Sequence, residues 1–291
     1  MVGMDSRIKE FEPYLNLGSE DVHMVGVWGT GGIGKTTLAE QVFKSFRGLF
    51  EASSIVYRVR ETCEKDLDGN SLKKQIDEDL SSKKATMKVL IVLDDVENET
   101  QIEALVGKVG PGSRIIITTR DNGILERCGV KDIFEVKKLT REESLMLFCQ
   151  KAFMKGYPPR PFQELSNDFV RYADGLPLFL KVLGNILYYH KTEREWIGQL
   201  NRLRETPDQG VTKVLRFSYE NLDVHGKATF LDIACFFKGE DESRGKVWMH
   251  DLLQQMGWEF IRKEKELGKR SRLWRHRDAL RVLQENMVRY I

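Results

Sequence analysis

Gly29-Thr30-Gly31-Gly32-Ile33-Gly34-Lys35-Thr36-Thr37 is the stretch from which the rest of the chain is read. The apolar run Met24 to Trp28 precedes it and the helical pattern Leu38-Ala39-Glu40-Gln41-Val42-Phe43 follows. It thus satisfies G-x-x-x-x-G-K-[ST] in the setting the motif requires, with a strand before and a helix after. Backbone N–H groups and a helix N-terminus then face one anion. Gly29, Gly31, Gly32 and Gly34 allow turns that a Cβ obstructs, and leave N–H dipoles aimed at phosphate oxygens. Lys35 brings a mobile point charge to the outer phosphates. Thr37 closes the motif, and the Thr36 hydroxyl is placed to ligate Mg²⁺, an ion that keeps several waters and borrows the nucleotide's own oxygens. The stretch reads as a phosphate cradle for a nucleotide.

Outward from this P-loop, strands and helices alternate as far as residue 136. Strands are expected at 23–28, 54–59, 88–93, 113–118 and 132–136, with helices at 35–47, 71–80, 99–108 and 122–127. Alternation of this kind predicts a parallel sheet covered on both faces. Val89-Leu90-Ile91-Val92-Leu93-Asp94-Asp95 is a continuous apolar run ending in two acids, the pattern of a buried parallel strand opening onto the ligand crevice. Asp94 is the candidate metal ligand, directly or through water, together with Thr36. Asp95 is the candidate for orienting a water or accepting its proton. Arg120 ends the strand 113–118 at the same edge, where its guanidinium fork can reach a terminal phosphate; a surface salt bridge is the competing use. Arg114 reads as an ordinary solvated base of that strand.

From residue 137 helical patterns take over. Thr140-Arg141-Glu142-Glu143 is a capping box that starts a helix at Arg141. Further helices are expected at 162–173, from Pro177 to 189, at 193–204, 211–222 and 228–237. Gly175 and Pro177 are sufficiently explained by helix capping. The fold class is therefore an α/β P-loop NTPase domain followed by all-α domains, divided as 1–136, 137–207 and 208–291.

Composition narrows the partners. Forty-six basic against 44 acidic side chains give a formal charge of +2, so no overall field draws the protein to nucleic acid or an anionic membrane. Four cysteines without C-x-x-C spacing, and no leader-like segment, point to a reducing compartment; a cytoplasmic protein is expected, with the nucleus as the alternative. No 18-residue apolar run spans a bilayer. Arg262 to Arg281 holds nine Lys or Arg against three acids around Trp274, a charge run more often a solvated helix face than a nucleic-acid site.

These residues resemble the NB-ARC region of plant intracellular disease-resistance receptors of the class that carries a TIR domain upstream. The matching stretches are VGMDSR at 2–7, GTGGIGKTT at 29–37, KVLIVLDDV at 88–96, GSRIIITTRD at 112–121, GLPL at 175–178, FLDIACFFKG at 230–239, MHDLLQQMG at 249–257 and GKRSRLW at 268–274. The resemblance implies a switch that holds ADP at rest and exchanges it for ATP on activation. Lys35 and Thr36 would hold phosphates and Mg²⁺, and Arg120 would sense the γ-phosphate. Val2, Arg7 and Pro177 would lie near the adenine, and His250 would touch the ADP phosphates. Self-association through the nucleotide-binding domain is a further implication. Only 11 residues, Lys238 to Trp248, separate FLDIACFF from Met249, too few for most of a winged-helix domain, so that part is expected to be shortened. Two other functions compete with the switch: a turnover-driven ATPase of the AAA+ kind, which adjacent acids permit, and nucleic-acid binding through the basic segment.

Overall fold

The structure is a computed structural model that describes residues 1–65, 70–80, 85–205, 215–216, 219–220, 222–237, 249, 251–264, 266–285 and 287. It divides into two compact units, residues 1–147 with 174–178, and residues 148–173 with 179–291.

The first unit begins with helix α1 (Met4–Phe11) and a short 3-10 turn, Glu12–Leu15. Next come β1 (His23–Trp28), α2 (Lys35–Phe46), β2 (Ala52–Val56), α3 (Val59–Lys65), α4 (Asn70–Leu80) and β3 (Val89–Val96). The alternation ends with α5 (Glu99–Val106), β4 (Arg114–Thr119), α6 (Asn122–Arg127) and β5 (Asp132–Glu135). The strands form one sheet in the order β2-β3-β4-β1-β5, and every pairing is parallel. This is the expected α/β architecture.

Burial follows from the sequence pattern. All six residues of β4 are buried, as are seven of the eight in β3, which is why these runs lack apolar–polar alternation. Val89, Ile91 and Leu93 share one face with Ile115 and Ile117, packed with Ile76, Leu80, Ile102 and Leu125. On that face Gly26 lets α6 close on β1, since a Cβ there would lie 2.4 Å from Leu125 Cδ1.

Three local readings change. The second strand ends at Val56 rather than 59, because Arg58 takes φ 54 and turns the chain so that Val59 enters the core as the first residue of α3, a helix not expected from the sequence. The third strand runs through both acids to Val96, because a bulge between Leu93 and Val96 absorbs one extra residue against β4. Arg114 is not solvated. It is fully buried, and its guanidinium donates Nε to Leu15 O, Nη1 to Asp21 O and Ser113 O (both 2.9 Å), and Nη2 to Asn16 O and to Ser19 O (2.9 Å). All five donors of the fork thus meet backbone carbonyls, four of them in the segment between α1 and β1.

The remaining described elements are helical. They are α7 (Arg141–Ala152), α8 (Gln163–Ala173), α9 (Pro177–Tyr188), α10 (Glu193–Glu205), α11 (Val224–Asp232) with a π turn at Ile233–Phe237, α12 (Asp251–Lys263) and α13 (His276–Gln284). The capping box stands: Thr140 N–H donates to Glu143 Oε2 at 2.9 Å, and Glu143 N–H to Thr140 Oγ1 at 3.2 Å.

The core of the second unit is aromatic. Trp196 is fully buried, stacks on Phe153 at 5.1 Å, meets Phe148 and Phe169 edge-on at 5.9 and 5.7 Å, and donates its indole N–H to His190 O at 3.1 Å. The π turn presents the Ala234 carbonyl to α12, where Gln254 Nε2 and Trp258 Nε1 donate to it at 3.0 and 2.9 Å. In the basic segment, Arg272 pairs with Asp232 at 2.6 Å and Arg281 with Glu285 at 2.9 Å. The helix expected at 211–222 falls largely outside the described residues, and the stretch 238–248 wholly so.

Candidate functional site

The site lies at the C-terminal edge of the sheet, in the first unit. β1 ends at Trp28, and the loop to α2 turns through Gly29, Gly32 and Gly34 at φ 151, 80 and 105. Gly34 is the N-cap of α2, so no side chain satisfies the N–H groups of the helix's first turn. A Cβ on Gly34 would meet nothing within 4 Å; glycine is required there by backbone conformation alone. Gly32 is held by close approach as well. Its carbonyl accepts from Leu178 N–H at 3.2 Å, and a Cβ would lie 2.9 Å from Leu178 Cβ. This contact brings Pro177, the first residue of α9, against the loop.

Lys35, the first residue of α2, is buried and turns back over the loop, donating Nζ to Gly29 O at 2.8 Å and to Thr30 O at 3.2 Å. One position on, the Thr36 hydroxyl donates to Asp94 Oδ1 at 2.8 Å. The same oxygen accepts from Thr118 Oγ1 at 2.7 Å, and Thr118 Oγ1 in turn accepts from Asp95 N–H at 2.9 Å. Thr118 therefore ties the two acids together. Burial pushes the Asp94 carboxyl above its ordinary range, against the hydrogen bonds from Thr118 and Thr36; Asp95 raises it further and Lys35 lowers it. A buried carboxylate in that position favours a cation beside it.

Asp95 adopts φ 59, a conformation made possible by the bulge in β3. Its Oδ2 lies 3.0 Å from Arg60 Nε and its Oδ1 3.3 Å from Arg120 Nε. Of the expected edge residues, Lys35, Thr36, Asp94, Asp95 and Arg120 are thus brought together by α2, β3 and the end of β4, while Gly29, Gly31, Gly32 and Gly34 lie in the loop before α2, Thr37 lies in its first turn, and Pro177 precedes the Leu178 that bonds Gly32. Val2 is half-buried ahead of α1. Arg7 uses its guanidinium on Gly3 O at 3.0 Å, on Lys137 O and Lys138 O at 3.4 Å, and on Glu143 at 3.6 Å, pinning α1 to the segment between β5 and α7. His250 lies outside the described residues.

Two members of the cluster escaped the sequence reading. Thr118 was visible as a polar residue at a strand end, but its link to both acids depends on the bulge. Arg60 had no signal, because the helix that carries it was not expected.

These residues fit a magnesium nucleotide. The uncapped helix N-terminus and the glycine loop suit phosphate oxygens. Among the described residues no group of three or more His, Cys, Asp or Glu converges, so a metal here would rest on Thr36, Asp94, water and the nucleotide rather than on an all-protein cage. Among the described residues no helix is long and apolar enough to cross a membrane.

Residues 13–157 match the NB-ARC domain family. The chain is 38% identical to disease resistance protein RPV1 of Vitis rotundifolia over 97% of its own length and 24% of the relative's. It is 36% identical to RUN1 of the same species over 97% of this chain and 25% of that one. It is 34% identical to TMV resistance protein N of Nicotiana glutinosa over 98% and 30%. The chain therefore spans about a quarter to a third of the length of the curated relatives it matches. The RPV1 alignment runs over 335 positions although the chain has 291 residues, so the relative carries segments that this chain lacks. Among solved structures, a signal transduction ATPase with numerous domains from Pyrococcus horikoshii aligns at a TM-score of 0.49 and 17% identity, over 98% of this chain and 45% of that one. The P-loop, the paired acids and the polar end of β4 stand within a sequence similar along nearly its whole length to plant disease resistance proteins, and the chain belongs to the NB-ARC family.

Proposed function

We propose that the first unit binds ADP or ATP with Mg²⁺ and works as a regulatory switch in plant defence signalling, hydrolysing ATP slowly at most. The observation that carries this reading is the Thr36–Asp94 hydrogen bond beneath a glycine-capped helix, 2.8 Å long, which sets a hydroxyl and a buried carboxylate side by side where a phosphate-bound cation would sit. In the proposed roles Lys35 neutralises the outer phosphates, Thr36 and Asp94 hold the metal, Asp95 orients water and Arg120 reports the terminal phosphate. Pro177, Val2 and Arg7 are proposed to lie near the base. The division into a nucleotide-binding domain at 1–136, a helical domain at 137–207 and a shortened winged-helix segment at 208–291 belongs to the same proposal, as do self-association and a cytoplasmic location. The names of the relatives support the defence role.

The test is to purify the protein, denature it and identify the released nucleotide by chromatography. ADP at near one equivalent is expected, and its loss in Lys35→Ala. Equal nucleotide content in that variant, or none in the native protein, overturns the reading.

A further inference from the structure

Arg60 belongs to none of the motifs that mark the site, yet it sits inside it. It is the second residue of α3, directly after the positive-φ turn at Arg58, and β2 is paired with β3, so the chain delivers Arg60 to the edge where β3 presents its acids. There its Nε lies 3.0 Å from Asp95 Oδ2, with both side chains largely shielded at 15% and 13% exposure. The other Asp95 oxygen faces Arg120 Nε at 3.3 Å. The acid is also fixed from behind, because its N–H donates to Thr118 and its backbone is turned out of the strand at φ 59.

We propose that Arg60 is a positioning residue that restrains Asp95, so that Asp95 can neither activate water nor release Arg120 until a terminal phosphate draws Arg120 away. The proposal rests on the nucleotide-binding reading given above. With each oxygen already facing a guanidinium, the carboxylate has its lone pairs engaged where a water would otherwise bond. A terminal phosphate, carrying more negative charge than Asp95, competes for Arg120 and frees Oδ1 while Arg60 keeps Oδ2. Hydrolysis then requires Asp95 to take a proton from water as the water oxygen bonds to the γ-phosphorus. The bond from that phosphorus to the β–γ bridging oxygen breaks with its electron pair leaving on ADP, and the proton passes on to the released phosphate. Arg60 sets how readily Asp95 reaches that water. It is a brake on turnover, distinct from the residues that hold the nucleotide.

The experiment compares the full chain with Arg60→Gln, Arg60→Lys and the double variant Arg60→Gln/Asp95→Asn. It measures ADP and ATP affinity by calorimetry and the single-turnover rate of bound ATP with Mg²⁺. Arg60→Gln is expected to raise the hydrolysis rate about 3- to 10-fold, a small part of the 10²–10⁴ that a positioned base contributes, with ADP affinity changed less than about threefold. Arg60→Lys keeps one charged contact and gives a smaller rise. Set beside Asp95→Asn alone, the double variant shows no gain, so the rise runs through Asp95; the part of the restraint that Arg60→Lys retains is what a merely structural role for Arg60 does not produce. Unchanged or lower rates in both single variants with ATP bound overturn the proposal, as does a gain that survives in the double variant. Should Arg60→Gln not fold, Arg60→Lys decides alone. Failure of the native protein to bind either nucleotide removes the nucleotide reading and this inference together; intact binding with unchanged rates removes only the role of Arg60.

Discussion

Replacing Arg114 by methionine removes a side chain on which four backbone carbonyls of the segment between α1 and β1 converge. Five bonds from a charged donor, at roughly 1.5–3 kcal/mol each, would add up to a whole domain's stability. The opposing term is the desolvation of the guanidinium. Burial pulls Arg114 below its ordinary value even with Asp21 and Glu20 drawing it back, and stripping water from such an ion costs several kcal/mol. The balance falls near the cost of breaking a buried polar network from one side, about 3–5 kcal/mol. At 2–4 °C per kcal/mol for a domain of this size, Tm should drop by about 6–20 °C. Arg114→Lys keeps the charge but has three donors for five carbonyls, and should fall between. Calorimetric melting measures the loss. Limited digestion with a Glu-specific protease localises it, since cleavage after Glu20 should become fast only in the variants. A Met variant that melts within 2 °C of the native protein, with Glu20 still protected, would refute the reasoning.

Other substitutions probe the site and the second unit. Gly34→Ala places a side chain at φ 105 with no steric neighbour, so backbone strain alone, about 1–3 kcal/mol, should appear in urea melts, together with a loss of more than about tenfold in ADP affinity. Asp94→Asn separates stability from function. Because burial raises the Asp94 carboxyl in the folded state, its contribution to stability is complete below the unfolded value of 3.8 and is lost as pH rises through the folded one. Removing the charge should therefore raise the Tm of the nucleotide-free protein at neutral pH while abolishing Mg²⁺-dependent ATP binding; a lower Tm would contradict this. The Cys149 thiol, fully buried and pushed up to about 12, should stay unreactive to a disulfide reagent at pH 8 in the native protein and react once guanidinium unfolds it.

Much of this was legible in the sequence because it rests on local pattern. The P-loop announces itself by glycine spacing, and β3 and β4 by apolar runs too continuous for anything but a buried parallel strand. The capping box at Thr140 spans only four residues, and the first and last of them bond each other as expected. What was not legible depends on contacts between segments far apart in the chain. Arg114 looks like any strand-end base until the carbonyls of residues 15–21 are seen to converge on it. The bulge in β3 follows from register against β4, which a single strand cannot encode. Arg60 reaches Asp95 only because β2 lies beside β3.

The two ends of β4 now carry a consequence together. Arg114 at its first residue gathers the chain that leads into the sheet, while Thr118 and Arg120 at its far end attend to the acids. Five steps of about 3.3 Å separate Arg114 from Thr119, so a stiff, fully buried rod of about 17 Å joins the anchor to the reader. A pull on residues 15–21 therefore loads β4 at Arg114, the end of the strand opposite Thr118 and Arg120.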